Sequence, residues 1–342
     1  MKWEGLYIGG LGTYIPNTLE SSDEALRSGR LTREDHEKTQ QISAAAGKSD
    51  ETAPDMSVWA GSEAFAEFKN YVTVDSSPEI IVHAVALHTG LEAWNGSAYI
   101  GNKLGHPNTL AVEIRNTCAG VIVGIDIMAR YIGSNGYGLL TAADIWRLPL
   151  FDRWASDSGL VYGDGAAAMI LTRENGPFEV LSTVLTQNSR YEKIHRGSAS
   201  IDLPEYREIL PFSMRARASD YARAQGFDSF WEANSKGLQE SVFHALQCAG
   251  VKQNDVKVWA VPHFGRTLLQ RQCLDPLDIH RNQTTAKFGA LIGHTGAADP
   301  LLGLSYLRSE RRIRPGDYIG LIGIGAGFTW GCAILHCTGQ EE

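Results

Sequence analysis

Residues 111–132 read AVEIRNTCAGVIVGIDIMARYI, and the fold follows from how this stretch divides. The apolar run from Leu110 to Ile114 suits a strand, and Arg115-Asn116-Thr117 stops it. Cys118 comes next, then a helical pattern from Ala119 to Ile132. Val121, Ile122, Val123, Ile125, Ile127 and Met128 make that helix apolar nearly all round, so it is expected to be buried rather than amphipathic. Gly120 and Gly124, one turn apart, are expected to leave a groove for another helix. A cysteine at this junction meets unpaired backbone N–H groups and the positive end of a helix dipole, which favour a thiolate. The competing reading is a buried structural cysteine, the commoner fate of a free thiol.

Working outward, strands and helices alternate. Leu6–Ile15 reads as a strand entering a glycine turn. Polar residues 19–55 read as surface helices and loops, with Ser22 capping one helix and Thr32 with Asp35 resembling a capping box for another. Asp55 is expected to cap a helix over 56–70. Glu79–Leu87 reads as a buried strand, Gly136–Trp146 as another, and Gly159–Thr172 as a strand pair around Gly163-Asp164-Gly165. Phe178–Leu185 follows as a strand; 186–230 reads as a polar, irregular insertion or lid; 229–249 is a helix ended by Gly250. Val256–Val261 is a strand running into Pro262-His263. Asp299-Pro300 opens a further helix.

The C-terminal segments of the two halves look alike: YGLLTAADIW with GLVYGDGAAAMILT, and DYIGLIGIG with AGFTWGCAILHC. This weak duplication and the alternation predict an α/β fold. Glu174-Asn175-Gly176-Pro177 marks the best boundary, giving halves 1–175 and 176–342.

Composition bounds the function. The 342 residues are 43% hydrophobic and 20% charged, with net charge −8 and pI about 5.7. That excludes a general nucleic-acid or membrane-surface binder. Five cysteines without a CxxC pair read as a reducing compartment with no structural zinc. The first ten residues carry no apolar signal core. Residues 318–340 hold no Asp, Glu, Lys or Arg, but glycines, among them Gly320, Gly323, Gly325, Gly327 and Gly331, and His336 interrupt them. They read as two buried strands, not a transmembrane helix. The expectation is a cytoplasmic protein.

Cys118, His263 and His294 each fall at the end of a strand or in a loop, where ligands collect in open α/β sheets. The other eight histidines read as ordinary core or surface residues, although His195 lies in the irregular region and could reach a cleft.

Four segments in order, NTCAG around Cys118, VPHFG around His263, GHTGAADP around His294 and the terminal IGIGAGFTWG, resemble 3-oxoacyl-acyl-carrier-protein synthase III, a thiolase-like condensing enzyme. The resemblance runs from Leu6 to Leu335. It implies the thiolase fold, five layers α-β-α-β-α from two similar halves, and a homodimer. It makes Cys118, in the N-terminal half, the nucleophile acylated by a coenzyme A or acyl-carrier-protein thioester. His263, in the C-terminal half, becomes a general base or acid, and no further cofactor or metal is called for. The oxyanion hole falls on the backbone N–H groups of Cys118 and Ala326.

Two departures shape the finer reading. The family's GNT asparagine is His294 here, and an imidazole suits removal of a proton from a hydroxyl or amine. The family's coenzyme A-contacting arginine falls on Ser156. DRWASDSGLVYGDGAA resembles instead the synthase III-like acyltransferases of natural-product pathways, which pass an acyl group to a small-molecule acceptor. Decarboxylative condensation is the alternative, and a non-catalytic partner subunit a third reading. An acidic carrier protein would need a basic patch, for which Arg266 and Lys287 are candidates, along with the arginines of RSERRIR.

Overall fold

Eleven strands are formed in the computed structural model, which describes residues 1–73, 76–91, 93–199, 201 and 210–339. They are β1 (Tyr7–Tyr14), β2 (Leu19–Ser21), β3 (Ser43–Ala45), β4 (Ile80–Ala84), β5 (Leu110–Ile114), β6 (Tyr137–Asp144), β7 (Gly165–Thr172), β8 (Phe178–Gln187), β9 (Val256–Ala260), β10 (Tyr318–Gly325) and β11 (Thr329–Cys337). Nine hydrogen-bond in the order β5-β4-β6-β7-β1-β8-β11-β10-β9. β4 runs parallel to β5 and β6, and β9 runs parallel to β10. β1 and β8 share only the pairs Tyr7–Glu179 and Ile8–Phe178, so the ladder is thin there and divides into two sheets.

The helices show how the sheets stack. The Gly120–Tyr131 helix touches β4 and β6 of one sheet and β8 and β10 of the other. The Asp299–Ser309 helix touches β1, β7, β9 and β10. Both therefore lie between the sheets, where Ile122, Ile125 and Met128 join Leu301, Leu302 and Leu304 in one core. Ala53–Phe68 covers the outer face of the first sheet and Asp228–Ala249 that of the second. The result is the five-layered α-β-α-β-α arrangement expected from the sequence. Covered on both faces, β6 and β7 bury every residue, which explains their unbroken apolar runs. Gly10 and Gly12 let the outer helix close on β1, since a Cβ at either would stand 2.1 or 2.0 Å from a carbonyl of Ala64 or Ala60.

Several local expectations are corrected. Gly159–Tyr162 form no strand pair with β7, because the backbone turns to follow the 294 loop, and Tyr162 bridges His294 instead. Thr52, not Asp55, caps the 53–68 helix, and Ser21, not Ser22, caps the first, in each case by accepting an N–H three residues on. Thr32 does accept the Asp35 N–H. Gly120 and Gly124 face Ala84, Ala297 and Leu140, so the flat surface packs mainly on strands and not on a partner helix. The 186–230 region is largely built: β8 runs to Gln187, and Met214–Gln225 is a helix capped by Ser213. Residues 200 and 202–209 within it lie outside the described residues. The charge-free C-terminal stretch is the β10–β11 hairpin, as read. Among the described residues no helix is long and apolar enough to cross a membrane.

Candidate active site

The chain leaves β5 and enters a single turn of 3₁₀ helix, Thr117–Ala119, that carries Cys118 at the mouth of the buried central helix. Thr117 sits at φ 47°, a left-handed conformation that costs a side-chain-bearing residue about 1–3 kcal/mol. Its hydroxyl accepts the Ala326 N–H at 2.6 Å, which pins the turn against the end of β10. The Cys118 N–H belongs to the first turn, where no helical acceptor exists.

His294 comes from the loop after the Ala286–Ile292 helix. Its N–H donates to Val161 O at 2.8 Å, and its carbonyl accepts the Gly163 N–H at 3.0 Å, so the backbone is fixed on both sides. Its Nε2 lies 2.9 Å from Cys118 Sγ and its Nδ1 2.5 Å from Asp299 Oδ2. The Thr295 N–H and hydroxyl donate to the other oxygen of Asp299 at 2.8 and 2.7 Å. Thiol, imidazole and carboxylate form one buried line. Nucleophile, base and orienting acid in such a line are the parts of a catalytic triad.

His263 takes a different place. Its backbone N–H donates to Asp299 Oδ2 at 2.7 Å, and its Nδ1 stands 3.1 Å from Asp299 Oδ1, too far off line for a hydrogen bond. The ring is fully buried edge-on to Phe288, and neither nitrogen has a hydrogen-bond partner among the described residues. The structure therefore brings Cys118 and His294 together and sets His263 behind the carboxylate.

The charges agree with this geometry. Burial opposes a charge on His294, but Asp299 and Cys118 outweigh it and hold the imidazole well above its ordinary value. Burial likewise opposes ionisation of Asp299, but His263 and His294 hold it well below the usual carboxylate range. The raised His294 stabilises the fold fully below about pH 6.5, and this is lost as pH rises through its folded value. The depressed Asp299 contributes above about pH 4, and this is lost as pH falls through its folded value.

A second buried carboxylate braces the site. Asp144, at the end of β6, accepts the N–H groups of Ala86 and Leu87 at 2.9 Å and that of Ala297. Burial pushes it up to about 7 against those donors. Gly296 passes it at φ 71°, where a Cβ would lie 2.2 Å from Asp144 Oδ2. Gly296→Ala is expected to destabilise the protein by at least about 1–3 kcal/mol, read as a fall in thermal midpoint.

Cys118, Thr117 and Ala326 open onto a cavity of about 470 Å³. Its wall is mainly apolar and rich in rings, including Trp146, Tyr162, Phe264 and Phe328. Met214, Arg215 and Arg217 of the 214–225 helix line it, as do Ile194 and His195, so the region read as an insertion supplies one wall. Tyr162 donates to Asp157 Oδ2 at 3.1 Å on another. Ser156 lies buried, its hydroxyl accepting the Asp152 N–H. Arg266 and Lys287 are exposed and outside the cavity; Arg266 donates to Gln40 at 2.7 Å. Of the RSERRIR arginines, Arg308 pairs with Glu67 and Arg312 holds the carbonyls of Asn282 and Thr284. Among the described residues no cluster of His, Cys, Asp or Glu is arranged to hold a metal.

Ala326 was expected to be free to donate, but its N–H is already taken by Thr117. A thioester carbonyl must displace a neutral hydrogen bond worth about 0.5–1.5 kcal/mol. Thr117→Ala is expected to speed acylation of Cys118 by roughly 2- to 10-fold by that measure, followed as adduct formation by rapid-quench mass spectrometry.

Asp299 was read in the sequence only as a helix opener. The available signal was a carboxylate five residues after His294, where one helical turn brings it back to the imidazole.

Residues 112–189 match the model of 3-oxoacyl-acyl-carrier-protein synthase III, and 246–337 that of its C-terminal domain. The β-ketoacyl-acyl-carrier-protein synthase III of Wolbachia pipientis wMel is 27% identical over 96% of this chain and 98% of its own. That of Pectobacterium atrosepticum is 26% identical over 83% and 86%. Among solved structures, the acyltransferase ChlB3 superposes with a TM-score of 0.91 at 27% identity over 98% of both chains. A variant of OleA from Xanthomonas campestris, at TM-score 0.76 and 18% identity over 98% and 99%, shares the fold.

Proposed function

The chain is a synthase III-like protein of the thiolase superfamily, an enzyme of a family that uses acyl thioesters, and on that premise we propose that it is an acyltransferase. It takes an acyl group from an acyl-carrier-protein or coenzyme A thioester onto Cys118 and passes it to a hydroxyl or amine of a small acceptor in secondary metabolism. The observation that carries this reading is the Cys118–His294–Asp299 line.

The chemistry runs in two steps. The Cys118 thiolate attacks the donor carbonyl and forms a carbon–sulfur bond. The donor thiolate leaves and takes the proton from the His294 imidazolium. Neutral His294 then removes the proton from the acceptor as its oxygen or nitrogen attacks. The bond to Cys118 breaks, and the thiolate–imidazolium pair returns. Asp299 keeps the proton on Nδ1, so that Nε2 faces sulfur or acceptor. The N–H groups of Cys118 and Ala326 are the proposed oxyanion donors; one such donor is worth roughly 3–4 kcal/mol.

Condensation would need donors facing a malonyl carbonyl. His294 is committed between thiol and carboxylate, and His263 lies against Asp299, which favours transfer to oxygen or nitrogen. The names of the synthase relatives favour the condensing alternative. Two further parts of the proposal concern assembly. The halves 1–175 and 176–342 are the two structural repeats. The unpaired outer edge of β5, with Leu110 exposed, is the homodimer contact.

The test is an intact-mass scan with acyl-coenzyme A and acyl-carrier-protein donors. One acyl adduct is expected on the wild type and none on Cys118→Ala. An unmodified wild type against every donor contradicts the proposal.

A further inference from the structure

Of His195, His263 and His294, only His195 lines the cavity. Both nitrogens of His294 are used, and His263 is sealed behind Asp299. His195 is the third. It stands on the last turn of the short Lys193–Arg196 helix, lines the same cavity as Cys118 and Ala326, and packs against Phe328 with ring centroids 5.1 Å apart. Its Nδ1 is buried without a partner, and neither ring nitrogen hydrogen-bonds to the described residues. The Arg217 guanidinium donates to the His195 carbonyl at 3.1 Å and fastens this turn to the 214–225 helix. Burial, then the nearby Arg217 charge, lower the imidazole to about 4, so it is neutral at pH 7. A neutral imidazole with free hydrogen-bonding capacity among aromatic faces is not explained by packing, since a buried polar group without a partner costs free energy.

We propose that His195 binds and orients the acceptor by a hydrogen bond to a neutral hydroxyl, and that the acceptor is a hydroxylated ring compound. Phe328, Phe230 and Trp231 line the same cavity and offer ring faces against which such a molecule would stack. His294 remains the base, and His195 selects what is presented to it. This rests on the acyltransferase reading.

The experiment uses the full chain and acetyl-coenzyme A, with methyl β-glucoside, phenol and cyclohexylamine as acceptor probes. Cys118 acylation, followed by intact mass, is expected to stay within 2-fold of wild type in His195→Phe and His195→Gln. Transfer to at least one alcohol probe should show a KM raised 10-fold or more in His195→Phe and largely restored in His195→Gln. Hydrolysis of the acyl-enzyme should be unchanged. Equal KM values in His195→Phe and wild type, no rescue by Gln, slowed acylation, or transfer from wild type to the amine alone, would overturn the proposal. A wild type that acylates but passes the group to neither alcohol overturns it too. Failure of wild-type Cys118 to acylate with acetyl-coenzyme A and with every other donor of the intact-mass scan removes the acyltransferase reading itself, which separates the two failures.

Discussion

Asp299→Asn is expected to leave the protein folded and to lower acyl transfer by roughly 1,000- to 10,000-fold, the scale seen when a triad carboxylate becomes an amide. The reason lies in two contacts. Asp299 Oδ2 meets His294 Nδ1 at 2.5 Å, and Oδ1 takes the Thr295 N–H and hydroxyl. An amide at this place can offer its NH₂ to Nδ1 and drive the proton to Nε2, the wrong tautomer for a base. It also removes the charge that outweighs burial at His294. The imidazole value then falls, so the high-pH limb of the acylation profile, where imidazolium supplies the leaving thiol's proton, should move to lower pH. Rapid-quench kinetics across pH 5–9 reads both effects. A profile and rate like those of wild type would remove Asp299 from the machinery.

His294→Asn is expected to cost roughly 100- to 10,000-fold in transfer to oxygen or nitrogen, the range that positioned acid–base catalysis supplies. Asparagine can hold the thiol by a hydrogen bond but cannot carry a proton from the acceptor. The double variant with Asp299→Asn should be little worse than His294→Asn alone, because Asp299 acts through His294. Additive losses would mean that Asp299 works through His263 instead. Acceptor turnover assays on the two single variants and the double variant decide this.

Much of the fold was legible in the chain because its signals are local. The apolar helix after Cys118, the charge-free hairpin and the alternation of strands each depend on neighbours in sequence, whereas the five layers were expected only from the family resemblance. The caps were misread by one to three residues, since Ser21 and Thr52, not Ser22 and Asp55, accept the N–H groups of Glu24 and Asp55. Gly159–Tyr162 was misread because its partner is His294, 132 positions after Tyr162. In the site, Cys118 and His294 were legible from their strand–turn and glycine-loop settings. The split between His294 and His263 was not, since only tertiary packing shows which of them meets sulfur and which meets Asp299. The wall made by 186–230 escaped for a similar reason. Its residues are polar in sequence, and the apolar ones among them, such as Ile194 and Met214, turn inward only when the Met214–Gln225 helix docks.

The central claim is that an acyl group leaves Cys118 for oxygen or nitrogen and forms no carbon–carbon bond. Enzyme pre-acylated on Cys118 should be given carboxyl-labelled malonyl carrier protein alongside a hydroxylated acceptor, and both carbon dioxide and products measured. The account predicts an ester or amide product with no release of label. Labelled carbon dioxide with a β-ketoacyl carrier protein would contradict it.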